Sequence, residues 1–129
     1  MKMIDVKDRA NPKLLLVDDS FTTRALERSV LEVAGFDVVA VADGVEALSA
    51  LEFEPFDIVV TDYNMPLMDG RALVSYFKQN PATANIPIIM VTTESEPRVL
   101  DPVRRLGVTA IVAKNFPAEV VGPILDSLF

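Results

Sequence analysis

The composition of this 129-residue chain excludes several classes of protein. Half of the residues are hydrophobic, which suits one domain with its own core, and no apolar run approaches the roughly 20 residues of a membrane helix. The net charge of −7 argues against direct nucleic-acid binding, and the lack of cysteine and histidine excludes disulfides, thiolate or imidazole metal sites and an imidazole base. A metal held by side chains must therefore have oxygen ligands, as Mg²⁺, Ca²⁺ and Mn²⁺ prefer.

The chain begins with a short polar stretch and then alternates between strand and helix patterns. Residues 1–12 are predicted to be an N-terminal extension without the long apolar stretch of a signal peptide, so we expect a cytoplasmic protein. The apolar face of the first helix is predicted from four residues that recur at helical spacing, which are Leu26, Val30, Leu31 and Val33. The predicted elements of this half are a strand at 13–18, a helix at 21–34, a strand at 36–41 and a helix at 44–53.

The second half of the chain continues the alternation, apart from a segment with two prolines. Pro97 and Pro102 are not expected inside one unbroken helix, because an interior proline removes a hydrogen bond and clashes with the preceding turn. We therefore predict an irregular turn over 94–101 and then a short helix with Asp101 as its N-cap. The predicted elements of this half are strands at 57–61, 88–92 and 109–113, and helices at 71–79, 102–106 and from 117 to 128.

Strands that alternate with helices along the whole chain predict a doubly wound parallel α/β sheet with right-handed crossovers. The strands are almost continuously aliphatic, as expected when both faces of a sheet are buried. The sequence shows no internal repeat, linker or low-complexity stretch. Residues 13–129 are therefore predicted to form one domain after the extension.

Polar side chains follow or end four of the five predicted strands. In chain order they are Asp18, Asp19, Asp62, Thr92 and Lys114. The carboxyl ends of parallel strands meet at one edge of a sheet, so these side chains should lie together. Three adjacent carboxylates repel one another unless a cation lies among them, and oxygen ligands favour Mg²⁺.

An aspartate beside a divalent metal, a lysine and a hydroxyl group is typical of a site that accepts a phosphoryl group. The carboxylate attacks phosphorus in line, the metal and the ammonium group neutralise negative charge, and the hydroxyl group donates a hydrogen bond. Because the chain has no histidine, the donor must be another protein or a small molecule. A structural interpretation stays open for each residue taken singly, since aspartates after strands often cap helices or shape turns.

Four motifs carry a resemblance to a known family. They are Leu-Val-Asp-Asp-Ser at 16–20, Val-Thr-Asp-Tyr-Asn-Met-Pro-Leu-Met-Asp-Gly at 60–70, Pro-Ile-Ile-Met-Val-Thr at 87–92, and Lys114. They resemble the receiver domains of response regulators in two-component signalling, and the chain is similar in size to single-domain chemotaxis regulators. The resemblance covers residues 13–128. It implies the flavodoxin-like strand order 2-1-3-4-5, with five helices on two faces.

The resemblance assigns a role to each residue at the predicted edge of the sheet. Asp62 would be the phosphoryl acceptor, Thr92 would hydrogen-bond the phosphoryl group, and Lys114 would pair with it. The Mg²⁺ ligands would be Asp18 (largely through water), Asp19 (directly), Asp62 and, through its backbone carbonyl, Asn64.

Three positions depart from the usual pattern of that family. Asn115 follows the lysine, where the family usually has proline after a cis bond, and Thr93 stands where it often has alanine or glycine. A cis bond to a residue other than proline costs about 3 kcal/mol, so the bond before Asn115 either stores strain or is trans. Ile111 replaces the usual tyrosine or phenylalanine. We therefore expect phosphorylation to change residues 94–101 more than the fifth strand.

The resemblance implies a response regulator that takes a phosphoryl group from a histidine kinase or phosphotransfer protein, with Mg²⁺, and signals by docking to a downstream protein. Its catalysis would be limited to its own phosphorylation and dephosphorylation, so it would not be an enzyme for other substrates. No direct binding to nucleic acid and no membrane insertion are expected. A homodimer through the fifth strand and the last two helices stays open.

Three other interpretations stay open. The first is a receiver-like interaction module that does not switch, which the changes at Ile111 and Asn115 favour. The second is an aspartate-nucleophile phosphatase, although that family needs Asp-x-Asp after its first strand and this chain has Asp18-Asp19. The third is a flavodoxin-like electron carrier, although two aspartates at that place would repel the phosphate of its cofactor.

Overall fold

The structure is a computed structural model, and it describes residues 11–114. Strands and helices alternate along this part of the chain. The strands are β1 (Lys13–Val17), β2 (Asp37–Val41), β3 (Ile58–Asp62), β4 (Ile88–Thr92) and β5 (Ala110–Ala113). The helices are α1 (Phe21–Val33), α2 (Gly44–Phe53), α3 (Gly70–Gln79) and α4 (Pro97–Arg105). The helix predicted from residue 117 onwards and the bond before Asn115 lie outside the described residues.

All five strands are parallel and form one sheet in the order β2-β1-β3-β4-β5, which confirms the predicted doubly wound fold. Successive side chains of a strand point to opposite faces, and helices cover both faces here. Leu14 and Leu16 pack with Leu31 of α1 on one face, whereas Leu15 and Val17 pack against α2, α3 and α4 on the other. These five side chains are at most 1% exposed. The core on both faces therefore fixes the carboxyl end of β1, where the predicted site begins.

The buried face of α1 differs from the face that the sequence pattern predicted. Leu31 is fully buried, but Leu26 and Val33 are 62% and 87% exposed. Glu27 is buried instead, at 5% exposed. Residues four apart share one side of a helix, so Glu27 lies beside Leu31, whereas Leu26 and Val33 lie on the opposite side. A carboxyl group therefore faces the interior of the protein from α1.

Helix α4 contradicts the prediction of an irregular turn followed by a short helix. It begins at Pro97 and continues through Pro102. Pro97 costs little, because the first N–H groups of a helix have no intrahelical partner. Pro102 costs about 3 kcal/mol inside a helix. Leu100 and Val103 are 5% and 0% exposed, and burying two such side chains contributes roughly 3 to 6 kcal/mol, so tertiary packing outweighs the local penalty.

The N-terminal turn of α4 is weakly capped. Asp101, the predicted N-cap, lies inside the helix and pairs with Arg104 at 3.1 Å. The N-cap position belongs to Glu96, whose side chain makes no capping hydrogen bond. In α1, α2 and α3 the N-cap side chain accepts a hydrogen bond from the helix backbone, which typically contributes about 1 kcal/mol. Among the described helices, α4 is therefore the one whose first turn is least firmly held.

Candidate functional site

The carboxyl ends of β1, β3, β4 and β5 bring the predicted site residues to one edge of the sheet. Backbone hydrogen bonds continue the sheet past the strand ends. The Asp18 N–H donates to the carbonyl that ends β2, and the Lys114 N–H donates to the carbonyl of Thr92, both at 3.1 Å. Asp62 is aligned with Val91 of β4. These bonds fix the backbone from which each functional side chain projects.

Lys114 supplies a positive charge to this edge. Its Nζ donates to Asp62 Oδ2 at 2.7 Å and lies 3.7 Å from Asp18 Oδ2. The side chains of Asp18 and Asp62 are 1% and 2% exposed, and that of Lys114 is 19% exposed. Burial lowers the pKa of Lys114, but the hydrogen bond and charge of Asp62 and the charge of Asp18 outweigh burial, so this pKa is raised. Lys114 is therefore fully charged at neutral pH.

Three carboxylates lie side by side around this lysine. Asp18, Asp19 and Asp62 each offer an oxygen, and these oxygens lie within 4.8 Å of one another. Burial raises the pKa of Asp62, although the hydrogen bond and charge of Lys114 oppose that rise. Asp18 Oδ2 is buried and accepts no hydrogen bond from the described part of the chain. A set of carboxylate oxygens with one unpartnered buried atom fits a Mg²⁺ ion.

Thr92 ends β4 beside the carboxylates. It is 2% exposed, and its Oγ1 accepts a hydrogen bond from the Glu94 N–H at 2.9 Å. A hydroxyl group that accepts one hydrogen bond keeps its own proton for donation to another acceptor. Thr93 is exposed, so only the first of the two threonines is buried at the site.

The loop after β3 turns sharply back onto the site. Asn64, the predicted carbonyl ligand, is exposed two residues after the strand. The Gly70 N–H then donates to the carbonyl of Tyr63 at 2.7 Å. A Cβ atom on Gly70 would lie 2.6 Å from the carbonyl oxygen of Asp62, which is too close for any side chain. Glycine at this position therefore lets α3 begin directly against the backbone of the predicted acceptor.

Two residues of α1 also touch the site, and neither was among the predicted residues. Burial, followed by the closeness and negative charge of the Asp18 carboxylate, raises the pKa of Glu27 to about 9. Arg24 Nη1 donates to the backbone carbonyl of Asp18 at 2.7 Å. The sequence pattern could have indicated that Glu27 is buried, because it lies four residues before Leu31 and so occupies an apolar position of the helix. No comparable pattern marked Arg24.

A cleft of about 520 Å³ lies beside the site, between α4 and β5. Its lining includes Thr92, Lys114 and Ile111. Ile111 also packs against the apolar cluster on the α2–α4 face of the sheet. Ile111, which stands where the family usually has an aromatic ring, therefore borders both the site and the surface of α4.

The family of the chain follows from comparison with known proteins. A family model described as the response regulator receiver domain matches residues 14–123. The chain therefore belongs to the response regulator receiver family. It is a phosphoryl-accepting domain of two-component signalling, and the phosphatase and flavodoxin interpretations are set aside.

Its relatives include chemotaxis proteins. The chain is 34% identical to the chemotaxis protein CheY-3 of Vibrio cholerae serotype O1, over 92% of each chain. Among solved structures, the chemotaxis response regulator CheY4 of Vibrio cholerae is 33% identical, with a TM-score of 0.84, over 92% of this chain and 99% of that one. The receiver domain of a sensor histidine kinase from Pseudomonas aeruginosa PAO1 is 25% identical, with a TM-score of 0.81, over 92% and 98%. That structure has a magnesium ion in its active-site cleft.

Helices α1 to α4 are each too short to cross a bilayer.

Proposed function

We propose that Asp62 is the residue that accepts the phosphoryl group. The observation that carries this assignment is the 2.7 Å hydrogen bond from Lys114 Nζ to Asp62 Oδ2, within a group of three carboxylates. Asp62 ends a fully buried strand at the centre of the sheet, so its carboxylate is held at a fixed position. A fixed nucleophile beside a fixed cation suits in-line transfer of a phosphoryl group.

We also propose that this site binds Mg²⁺. The ligands would be the carboxylates of Asp18, Asp19 and Asp62 and the backbone carbonyl of Asn64. The magnesium ion in the related receiver domain from Pseudomonas aeruginosa supports this proposal. When bound, Mg²⁺ would neutralise negative charge on the carboxylates and on the oxygens of the incoming phosphoryl group.

The side chains of the site then have separate tasks in the transfer. A carboxylate oxygen of Asp62 forms a bond to phosphorus while the bond from phosphorus to the leaving group of the donor breaks, and the leaving group keeps the electron pair. Lys114 neutralises the charge that Asp62 and the phosphoryl oxygens share. The Thr92 hydroxyl group donates no hydrogen bond to another described residue, so its proton is available for one of those oxygens.

The donor is proposed to be a histidine kinase or a histidine-containing phosphotransfer protein, because the chain belongs to the receiver family and has no histidine of its own. Catalysis is proposed to be confined to the Asp62 carboxylate, which receives the phosphoryl group and later loses it to water. The docked target, a homodimer through β5 and the last two helices, the cytoplasmic location and the domain boundary after residue 12 stay predictions from the sequence.

Acetyl phosphate with Mg²⁺ should add one phosphoryl group to the wild-type protein, and intact mass spectrometry would detect it. Asp62→Asn should show no adduct, because an amide is a poor nucleophile. The control Asp101→Asn, which changes a carboxylate on α4 away from the site, should be modified like the wild type. An adduct that persists in Asp62→Asn, or that forms equally well in EDTA, would show that the acceptor or the metal has been assigned wrongly.

Mg²⁺ should raise the melting temperature of the protein through Asp19. A ligand that binds only the native state adds about 1.4 kcal/mol to the free energy of unfolding at tenfold excess over Kd. Asp19→Ala should abolish the Mg²⁺-dependent rise. Asp37→Ala should retain the Mg²⁺-dependent rise, because Asp37 begins β2, at the edge of the sheet opposite the site. A full Mg²⁺ response in Asp19→Ala would refute a role for this carboxylate as a ligand.

Beryllofluoride, a mimic of the aspartyl phosphate, should shift backbone amide resonances most strongly between β4 and the first turn of α4. The Thr92 hydroxyl group holds the Glu94 N–H at 2.9 Å, so a movement of Thr92 acts directly on this segment. Ile111 is β-branched and repacks only slightly, so β5 should respond less. Larger shifts along β5 would reverse this prediction. Binding without shifts in either segment would favour the interaction module that does not switch.

A further inference from the structure

A groove lies at the amino edge of the sheet, on the side away from the proposed acceptor site. One wall consists of residues 51–56, which end α2 and lead into β3, and the other belongs to the turn between α3 and β4. Both walls lead into strands, so the groove lies where β3 and β4 begin. This amino-edge groove has a volume of about 380 Å³, and its apolar lining residues are Leu51, Phe53, Pro55, Phe56, Ala82 and Ile86.

One aromatic side chain of the amino-edge groove is left in solvent. Phe53 is 87% exposed, whereas Phe56, three residues later in the same wall, is 6% exposed. A single exposed apolar side chain is common on protein surfaces, but an exposed ring beside an apolar groove indicates a surface that a second segment covers. The groove therefore has the chemistry of a docking site for apolar side chains.

Two carboxylates make one wall of the amino-edge groove acidic. Glu52 and Glu54 both line it. Glu54 forms an ion pair with Lys13 Nζ, whereas Glu52 has no ion-pair partner within residues 11–114. Because opposite charges favour correct docking, an occupant of the groove should combine apolar side chains with positive charge.

The chain enters β1 directly against the acidic wall of the amino-edge groove. The Lys13 N–H donates to Asp57 Oδ2, and the Lys13 carbonyl accepts from the Asp57 N–H, both at 2.8 Å. Together with the ion pair to Glu54, these bonds hold the start of β1 to the segment that forms this wall. The ten residues before Asn11 span at most about 33 Å when extended, so they begin beside the groove and can reach along it.

Residues 1–10, which lie outside the described part of the chain, have the composition that the amino-edge groove requires. Their large apolar residues are Met1, Met3, Ile4 and Val6, and their basic residues are Lys2, Lys7 and Arg9. Basic side chains outnumber acidic ones in this segment, although the whole chain has a net charge of −7. A tethered segment also has a high effective concentration at a nearby groove, so weak contacts suffice to hold it there.

We propose that residues 1–10 dock in the amino-edge groove of their own chain. The apolar side chains of the segment cover Phe53 and Phe56, and its basic side chains lie beside Glu52. The docked segment joins the end of α2 to the turn that precedes β4. This inference is independent of the proposed phosphoryl acceptor and of the proposed metal site, which lie at the opposite edge of the sheet.

Nuclear Overhauser spectroscopy of the full chain with labelled methyl groups would test this docking. We expect contacts between the methyl groups of Ile4 or Val6 and the ring protons of Phe53. In a mixture of labelled and unlabelled chains, isotope-filtered spectra should show that these contacts lie within one chain. Contacts between different chains would mean that a second copy fills the groove, and they would overturn the inference. The absence of any such contact would also overturn it.

Phe53→Ser should release the segment, so trypsin should cleave after Lys7 and Arg9 several-fold faster than in the wild type. Because Phe53 is exposed, the variant should fold normally, which circular dichroism would establish. Val33→Ser is the matched control, since Val33 is also 87% exposed but lies on α1, and it should be cleaved at the wild-type rate. Equal cleavage rates in the wild type and both variants would contradict docking at Phe53.

Discussion

Lys114→Met should destabilise the metal-free protein by about 3 kcal/mol at pH 7, because removing one partner of a buried ion pair leaves the other charge uncompensated. Asp62 and Asp18 are almost fully buried, and Lys114 is the cation within 4 Å of both. This loss of stability should become smaller as the pH falls from 7 towards 5. Burial already raises the pKa of Asp62, and without Lys114 this carboxyl group takes up a proton more readily.

Urea denaturation in EDTA would measure this loss. Lys78→Met is the matched control, because the Lys78 ammonium group donates to the carbonyl of Ala84 at 3.0 Å and should cost far less. The double variant Asp62→Asn with Lys114→Met should recover much of the stability, since it removes both charges of the pair. An equal loss of stability in Lys114→Met and Lys78→Met would contradict this electrostatic explanation.

Glu27→Gln should stabilise the metal-free protein, and the gain should increase with pH. The pKa of Glu27 is about 9 in the folded protein against an ordinary value of 4.5, so the folded state holds its proton more tightly than the unfolded state. Between these two pKa values, stability falls as pH rises, by about 1.4 kcal/mol per pH unit. Glutamine does not titrate, so the variant avoids this loss. The difference at pH 7 should approach about 3 kcal/mol.

Denaturation curves at pH 5, 6, 7 and 8 in EDTA would test the gain. The control is Glu32→Gln, which removes an exposed carboxylate from the same helix. A constant difference between Glu27→Gln and the wild type from pH 5 to pH 8 would show that Glu27 is ionised in the folded protein.

Local patterns predicted the sheet and its polar edge well. The aliphatic runs placed the ends of all five strands to within one residue, and the carboxylates that follow or end β1 and β3 lie together as expected. The reason is that burial on both faces leaves the strands almost no freedom in composition, and that parallel strands end at one edge. Chemistry that follows a strand directly in the sequence is therefore easy to locate.

Features that depend on tertiary packing were missed. The cost of Pro102 inside a helix can be predicted from the local sequence. The burial of Leu100 and Val103, which offsets this cost, cannot be predicted in that way. The same applies to α1, where exposed Leu26 and Val33 suggested the wrong buried face. A glutamate such as Glu27 usually faces solvent on a helix, so its spacing from Leu31 alone did not lead to the prediction of a buried carboxyl group.

The site can form only when the sheet is fully paired. The Lys114–Asp62 hydrogen bond joins residues 52 positions apart and requires β3, β4 and β5 to be paired in the correct register. A slip of β3 by one residue would turn Asp62 to the opposite face of the sheet and place Thr61 beside the lysine. If Asp62 accepts the phosphoryl group as proposed, chains with an unfinished sheet would lack a competent acceptor. In a cell, phosphorylated protein would be drawn from correctly folded molecules, without a separate quality check.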